Sequence, residues 1–377
     1  MQPYGHPTRI GEDSVDAKPY FIPKPIVDKR EARTLEGLAK DYRDLIADNG
    51  IKRMATSVAS NIKDAATGAA SRLPDPIQEV GSSIGENIAQ GAGGVRDALT
   101  SNVIYEEALS RISDGIRLAQ EQGHAFTVDP QKVIERAQRT ERLNNIQSID
   151  ELCLLRSYQL KKSASMVRTT NLALILAEGG ATGLFGLAGV PVSLVASTFL
   201  CLCVVESVAY RYGFDVKQND AELVLAATVF ANGLTLRDGG TEGRLGRSVS
   251  EIMAFEVGTL TASGKEYAGA VEALGLGALF KDLEATSRME AKRTLQEAGT
   301  DNLEEGVFRA VFEQVGKYLA ITSVGKAMPV AAIFVGAAID ATAMSHVTRY
   351  AENFYQKRFI TEKADRIARL TAGHPSR

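Results

Sequence analysis

The stretch between Arg168 and Arg211 constrains the fold of this chain more than any other, because it is long and almost uncharged. Glu178 and Glu206 are its only charged residues. An ionised side chain is costly away from water, so such a run is typical of segments that lie in a protein core or in a membrane. We therefore expect the central part of the chain to be buried in one of these two environments.

The glycine content of this stretch divides it in two. Residues 179–191 contain five glycines and Pro191. In a continuous helix each glycine would cost about 1 kcal/mol and the proline about 3 kcal/mol relative to alanine. We predict a helical hairpin: a first apolar helix up to about residue 176, a glycine-rich bend, and a second apolar helix over about residues 191–209.

The rest of the chain predicts helices as well. No segment alternates apolar and polar residues with the period of a strand, tryptophan is absent, and aromatic residues make up only 6% of the chain. The sequence therefore predicts an all-α fold, a multi-helix bundle with a central glycine-rich apolar helical hairpin. Further helices are expected over about residues 29–48, 103–123, 223–236, 251–260, 267–274, 283–296, 303–319 and from 329 to the end, with one more that begins at Asp129-Pro130.

Three regions follow from these patterns. Residues 1–28 contain five prolines and no continuous apolar stretch, which predicts a flexible Pro-rich arm rather than a secretory signal. Residues 29–140 form an amphipathic helical N-terminal region, and residues 150–370 form a helical domain. The apolar runs at 223–236 and 327–339 are too short to span a bilayer, which takes about 20 residues.

Charge and cysteine content limit the function. The chain has 43 Lys and Arg against 46 Asp and Glu, so no net field would attract it to nucleic acid, and we expect no nucleic-acid partner. The three cysteines are an odd number, and two of them, Cys201 and Cys203, lie in one apolar run. We therefore expect buried thiols, a reducing cytoplasmic location and no cofactor.

The last helix becomes strongly polar after His346 and carries many cations. We interpret it as a solvated terminal helix whose cations suit the negative carboxyl end of the helix dipole. The alternative is a face that binds lipid headgroups. The cations are Arg349, Lys357, Arg358, Lys363, Arg366 and Arg369.

Polar residues in apolar surroundings are the candidates for chemistry. Glu206 and Tyr210 are four residues apart and share one helix face. If Asp215, Asp340 and His346 reach the same cavity, the set would form a small acid/base or metal site. The alternative is structural: Glu206 pairs with Arg211 or Arg168, Tyr210 caps the core, and His346 lies at the rim. The sequence lacks the usual spacing of metal ligands, so we expect no metal.

Two segments of this sequence resemble the EcsC protein family of bacteria. They are Gly186-Leu-Ala-Gly-Val-Pro-Val-Ser-Leu194 with Glu206-Ser-Val-Ala-Tyr-Arg-Tyr-Gly-Phe-Asp215, and Lys326-Ala-Met-Pro-Val-Ala-Ala-Ile-Phe-Val-Gly-Ala-Ala-Ile-Asp-Ala341 followed by Ala351-Glu-Asn-Phe-Tyr355. The resemblance covers about residues 150–359, and Asp340 stands where the family usually has Asn. It implies a cytoplasmic, EcsC-like helical domain that can associate with a membrane. It supplies no active site.

Two functions remain open at this point. The first is a non-enzymatic accessory or interaction protein at the inner face of the cytoplasmic membrane, whose hairpin binds lipid and whose partner is a membrane lipid or membrane protein. Basic residues on both sides of the hairpin agree with cytoplasmic ends, although a hairpin buried in the protein core fits equally well. The lipid contacts would be Leu184, Phe185, Leu187, Val190, Phe199, Leu200 and Val204.

The second function is an enzyme, or a metal- or ligand-binding protein, with a buried acidic site around Glu206 and Asp340. In this hypothesis Tyr210 and Asp215 line the same helical cavity, and His346 is a further candidate. The substrate would be a lipid.

Overall fold

A computed structural model describes residues 20–47, 108–122, 129–140, 146–161, 190–235, 240–241, 243–257, 275–298, 303–323 and 341–372. Every regular element in these ranges is helical, so the all-α prediction is confirmed for the described part of the chain. A short 3-10 helix spans Asp150–Leu154. The α-helices are α1 (Lys29–Ala47), α2 (Ile112–Gln122), α3 (Pro130–Thr140), α4 (Val190–Arg211), α5 (Asp220–Thr235), α6 (Arg244–Ala254), α7 (Leu276–Ala298), α8 (Leu303–Ser323) and α9 (Ala341–Thr371).

Most helix positions agree with the sequence prediction. The second arm of the predicted hairpin is α4, whereas the first arm and the glycine-rich bend lie outside the described residues. The clearest difference is α6, which begins at Arg244 and ends at Ala254, earlier than predicted at both ends. The apolar part of its buried face is made by Leu245, Val249, Ile252 and Met253, which recur at helical spacing, and the first two of them lie upstream of the predicted start.

Two helices, α5 and α9, organise the bundle. Helix α5 packs against α4, α6, α7, α8 and α9, and α9 packs in turn against α1, α4, α6, α7 and the 3-10 helix. Both therefore pass through the middle of the bundle. The buried apolar side chains of all these helices form one continuous core cluster.

The interpretation of the last helix as solvated is wrong for α9. Lys357 and Lys363 have no exposed surface, and Arg358 and Arg366 are 3% and 6% exposed. Because burying an unpaired charge is very costly, each of these cations needs partners inside the protein. They find those partners on four different elements, so the headgroup-binding alternative does not describe these four side chains either.

Two of the cations bind the carboxyl ends of other helices. The Lys357 ammonium donates to the carbonyls of Met253 and Phe255 at the end of α6, at 3.2 and 2.6 Å. The Arg366 guanidinium donates to the carbonyls of Tyr212 and Gly213 just after α4, at 2.9 and 2.6 Å. These are carbonyls that have no partner within their own helix, and the negative end of the helix dipole favours a cation there.

The other two cations pair with acids in first helical turns. Arg358 binds both carboxylate oxygens of Glu222 on α5, and Lys363 binds both carboxylate oxygens of Glu31 on α1. Glu31 also completes a capping box with Asp28, since each side chain accepts the other residue's backbone N–H. Helix α9, near the end of the chain, thus binds helices that lie far from it in the sequence.

Residues 20–28, which belong to the predicted Pro-rich arm, contact the domain. The Tyr20 hydroxyl donates to Glu151 at 3.3 Å, and the Arg156 guanidinium donates to the Ile26 carbonyl at 3.0 Å. Val27 is buried. This part of the arm therefore packs on the bundle just before α1 begins. The preceding residues of the arm, 1–19, lie outside the described residues.

Candidate functional site

The predicted acidic site is only partly assembled in the described residues. Glu206 and Tyr210 lie on α4, and Asp215 follows in the turn to α5. His346 is buried on α9, not at a rim, and it is not among the groups that interact with Glu206. Asp340 lies outside the described residues. The site therefore consists of one helix, one turn and the elements packed against them.

Tyr210 and Asp215 form a pair that closes the turn after α4. The Tyr210 hydroxyl donates to the Asp215 carboxylate at 2.5 Å, and the same carboxylate oxygen accepts the backbone N–H groups of Lys217 and Gln218 at 3.0 Å. Burial and then this hydrogen bond raise the pKa of Tyr210 well above its usual value. The phenol is therefore held as a neutral hydrogen-bond donor, and the carboxylate caps the turn.

Glu206 is a buried carboxyl group, and among the described residues its Oε1 oxygen has no hydrogen-bond partner. Burial, together with the nearby Glu304 carboxylate, raises the pKa of Glu206 to about 8, although Lys217 partly offsets the shift. At neutral pH the group is therefore mostly protonated. The predicted pairing with Arg211 does not form, and that guanidinium donates to the carbonyl and hydroxyl of Ser207. Arg168, the other predicted partner, lies outside the described residues.

Nothing in the sequence indicates that two further charged residues lie near Glu206. Glu304 is in the first turn of α8, and Lys217 is in the loop between α4 and α5. The contact between α4 and α8 that brings Glu304 close includes an edge-to-face pair of Phe199 and Phe308, whose ring centroids are 5.4 Å apart. Phe199 lies two turns before Glu206, and Phe308 one turn after Glu304. Such a contact between distant helices cannot be predicted from spacing.

Replacing Glu206 with Gln is expected to remove a pH dependence of stability. The carboxyl ionises near pH 4.5 in an unfolded chain and near pH 8 in the folded protein, so unfolding releases a proton between these values. This group therefore makes the native protein less stable as pH rises from about 4.5 to 8. As pH rises from about 4.5 to 8, the free energy of unfolding of the variant should therefore increase by about 2–5 kcal/mol relative to that of the unmodified protein.

The measurement is urea unfolding of both proteins at several pH values between 4.5 and 8.5. Glu251→Gln, which changes an exposed glutamate on α6, controls for the substitution itself. The slopes of the free energy of unfolding against pH are compared, rather than its absolute values, because the cost of burying the new amide is the same at every pH. If the free energies of unfolding of Glu206→Gln and of the unmodified protein change in parallel with pH, the assignment of a neutral buried carboxyl is wrong.

Of the residues predicted to contact lipid, Phe199, Leu200 and Val204 are buried in the core. Val190 begins α4. Leu184, Phe185 and Leu187 lie outside the described residues. No helix in the described ranges has both the length and the apolar character to cross a membrane.

All three cysteines lie among the described residues. Cys153, Cys201 and Cys203 are free and buried, as predicted. Burial raises the pKa of Cys201 and Cys203 above the usual thiol range, so neither is a reactive thiolate at neutral pH. In the ranges that the structure describes, no three His, Cys, Asp or Glu side chains are grouped so that they could hold a metal ion.

Comparison with known proteins identifies one family. The model of the EcsC protein family matches residues 75–360. The match begins upstream of residue 150, where the resemblance in the sequence begins, and it leaves out α1 and the end of α9. Neither a curated protein nor a solved structure matches the chain.

Proposed function

Because the chain belongs to the EcsC protein family, whose model covers most of its length, we propose that it is a non-enzymatic accessory protein at the inner surface of the cytoplasmic membrane. In this proposal it binds lipid with the apolar segment that precedes and enters α4. The single observation that carries the proposal is the charge distribution: from residue 169 to residue 205 the only charged side chain is Glu178.

Helix α4 limits where this lipid contact can lie, because its sequence has no polar face and the helix is buried in the bundle. Its two charged residues, Glu206 and Arg211, lie in its last two turns, and Glu206 is held mostly protonated by burial. The described part of α4 packs into the bundle against α2, α5 and α9. The lipid contact is therefore assigned to the residues before α4, with α4 as the rigid helix that anchors them in the protein.

The contacts of the acidic candidates favour an accessory role over an enzymatic one. Tyr210 and Asp215 bind each other and the backbone of the following turn, which is a structural role. A general acid needs a proton that it can release near neutral pH. The raised pKa of Tyr210 is unfavourable for this task.

Flotation with liposomes tests the proposal. We expect the full-length protein to float with vesicles that contain anionic lipid, and the double substitution Phe185→Lys with Leu187→Lys to reduce the bound fraction at least about tenfold, since a charge is costly in an apolar membrane contact. Leu200 and Val204 are unsuitable for this test, because lysine in the core would unfold the protein. Circular dichroism establishes that the variant folds.

Met289→Lys provides the matched control, because Met289 is an apolar side chain on α7 that is 57% exposed. Its flotation should equal that of the unmodified protein. If the unmodified protein does not float with any vesicle, or if the control loses as much binding as the double variant, the lipid proposal is wrong.

One observation favours a second candidate, a ligand-binding protein with its site at Glu206. No group in the described part of the chain forms a hydrogen bond with Oε1 of this buried carboxyl, which is a polar atom that a bound molecule could satisfy. Its test is the double substitution Glu206→Gln with Asp340→Asn. If the variant fails to complement a deletion of its own gene while its flotation is unchanged, this candidate is favoured. Full complementation by the variant would exclude it.

A further inference from the structure

Residues 21–33, on the segment that leads into α1, form a surface that is both apolar and cationic. Phe21 is 60% exposed and Ile22 is 39% exposed. We call this set, with the exposed cations of the same segment, the amino-terminal surface. It lies outside residues 75–360, which match the family model. The cations are Lys24, Lys29, Arg30 and Arg33.

The two acidic residues of this segment do not offset that positive charge at the surface, because they are committed to the fold. Glu31 is fully buried, and its carboxylate binds Lys363 and Arg156. The Asp28 carboxylate caps α1 by accepting two backbone N–H groups at 3.0 and 2.8 Å, and it also accepts the Tyr158 hydroxyl at 3.1 Å. The exposed side chains therefore give the outer face of this segment a net positive charge.

The positions of the cations are unfavourable for α1 itself. Lys29, Arg30 and Arg33 lie in the first two turns of the helix, next to the positive end of its dipole. Lys29 and Arg33 are also four residues apart on one face, where like charges destabilise a helix. Helix formation therefore does not account for this cluster, whereas a bound anionic partner would offset both effects.

Helix α7 provides a contrast within the same protein. It carries Met289 and Leu295, the other large apolar side chains that are exposed in the described residues. Its cations Arg288 and Arg293 each form an ion pair with a glutamate of the same helix. In the described part of the chain, none of the cations of the amino-terminal surface has such a pair. Only at the amino-terminal surface do exposed apolar side chains therefore stand beside cations without acidic partners.

The loop that carries the two apolar side chains is held at both ends. Before residues 21–25 the Tyr20 hydroxyl donates to Glu151 at 3.3 Å, and after them the Ile26 carbonyl accepts the Arg156 guanidinium at 3.0 Å. Two prolines restrict the backbone between these contacts. A partner that buries the apolar side chains would therefore cause only a small loss of conformational entropy in the loop.

We infer that the amino-terminal surface docks on an anionic lipid membrane. Its cations suit negative headgroups, and its aromatic and aliphatic side chains can enter the boundary between headgroups and acyl chains. A lipid surface supplies charge and an apolar layer without a fixed geometry, which suits long exposed side chains better than a specific acidic protein segment does. This contact is separate from the apolar segment before α4, so it does not rest on the proposed function.

Sedimentation of the full chain with sucrose-loaded vesicles of phosphatidylcholine and phosphatidylserine tests the docking. Binding should fall steeply when sodium chloride rises from about 0.05 M to about 0.5 M, because salt screens exposed charges. At the lower concentration Lys29→Gln with Arg33→Gln should bind about 10–30-fold more weakly, since each cation at an anionic membrane contributes about fivefold. Circular dichroism and urea unfolding establish that the variant folds, as expected for two exposed positions.

Helix α7 supplies matched controls. Arg288→Gln with Lys292→Gln removes the same charge from exposed side chains that are also four residues apart, and it should bind like the unmodified protein. Phe21→Ser should weaken binding several-fold at both salt concentrations. Met289→Ser, at an apolar side chain that is 57% exposed, should leave binding unchanged.

Two outcomes would overturn the inference. One is equal binding of the Lys29→Gln, Arg33→Gln variant and its control. The other is a protein that binds no vesicle. If such a protein is retained on immobilised polyglutamate and the same variant is not, the partner of the surface is an acidic protein instead of a membrane.

Salt separates this surface from the segment before α4. Phe185→Lys with Leu187→Lys disrupts an apolar contact, so its loss of binding should persist at the higher salt concentration. If the Lys29→Gln, Arg33→Gln variant loses binding and this double variant does not, the amino-terminal surface is supported and the lipid contact before α4 is wrong. The reverse result would overturn the amino-terminal surface and leave the proposed function standing.

Discussion

Replacing Glu31 with Ala is expected to lower the free energy of unfolding by about 3–5 kcal/mol, because it leaves a buried lysine without its counterion. The Glu31 carboxylate is fully buried and binds the Lys363 ammonium at 2.9 and 3.1 Å. It also accepts a hydrogen bond from the Arg156 guanidinium at 3.0 Å and from the Ser157 backbone N–H at 2.8 Å. The substitution would remove the acceptor from all of these donors.

Urea unfolding at pH 7 measures this effect. Asp44→Ala removes an exposed acid from the same helix and is expected to change stability by less than about 0.5 kcal/mol. The double substitution Glu31→Leu with Lys363→Met should recover much of the loss, since it removes the unpaired charge along with its partner. A loss below 1 kcal/mol for Glu31→Ala would show that α1 does not depend on this contact for docking.

Replacing Arg358 with Lys is expected to lower the free energy of unfolding by about 2–4 kcal/mol even though the charge is retained. The guanidinium binds Glu222 at 2.6 and 2.8 Å and Glu362 at 2.9 Å, and it lies 4.1 Å from the centroid of the Phe214 ring. An ammonium cannot reproduce two parallel hydrogen bonds, the third bond and the stacking together. At least one buried carboxylate oxygen would lose its donor.

The control for this substitution is Arg369→Lys, which makes the same change at an exposed position on the same helix. Its unfolding midpoint in urea should match that of the unmodified protein. If Arg358→Lys also unfolds at the same midpoint, then charge alone, rather than the geometry of the guanidinium fork, holds α5 to α9.

The helices of this protein follow from local sequence patterns. The amphipathic spacing of residues 29–48 predicted α1, and the uncharged runs predicted α4 and α5, because helix formation depends on neighbours three and four residues apart. Both ends of α6 were predicted at positions too far along the chain. In that segment the buried face begins at Leu245, two residues after Gly243.

The candidate site was only partly predictable for a related reason. Helical spacing placed Glu206 and Tyr210 on one face, and the structure confirms that both are buried on α4. The charged neighbours that modify the effect of burial on the pKa of Glu206, however, are Glu304 on α8 and Lys217 in a loop. Nothing in the local sequence of either residue shows that it faces α4.

The sequence by itself determined that the chain is all-α, where most of its helices lie, and which family it belongs to. Only the tertiary structure decided that α9 runs through the core, where four of its cations bind other elements. The physical reason is that a cation on a helix can be buried only where a partner compensates its charge, and local spacing does not show where that partner is. Those partners lie more than 100 residues away in sequence, as Glu31 does from Lys363 and Glu222 from Arg358.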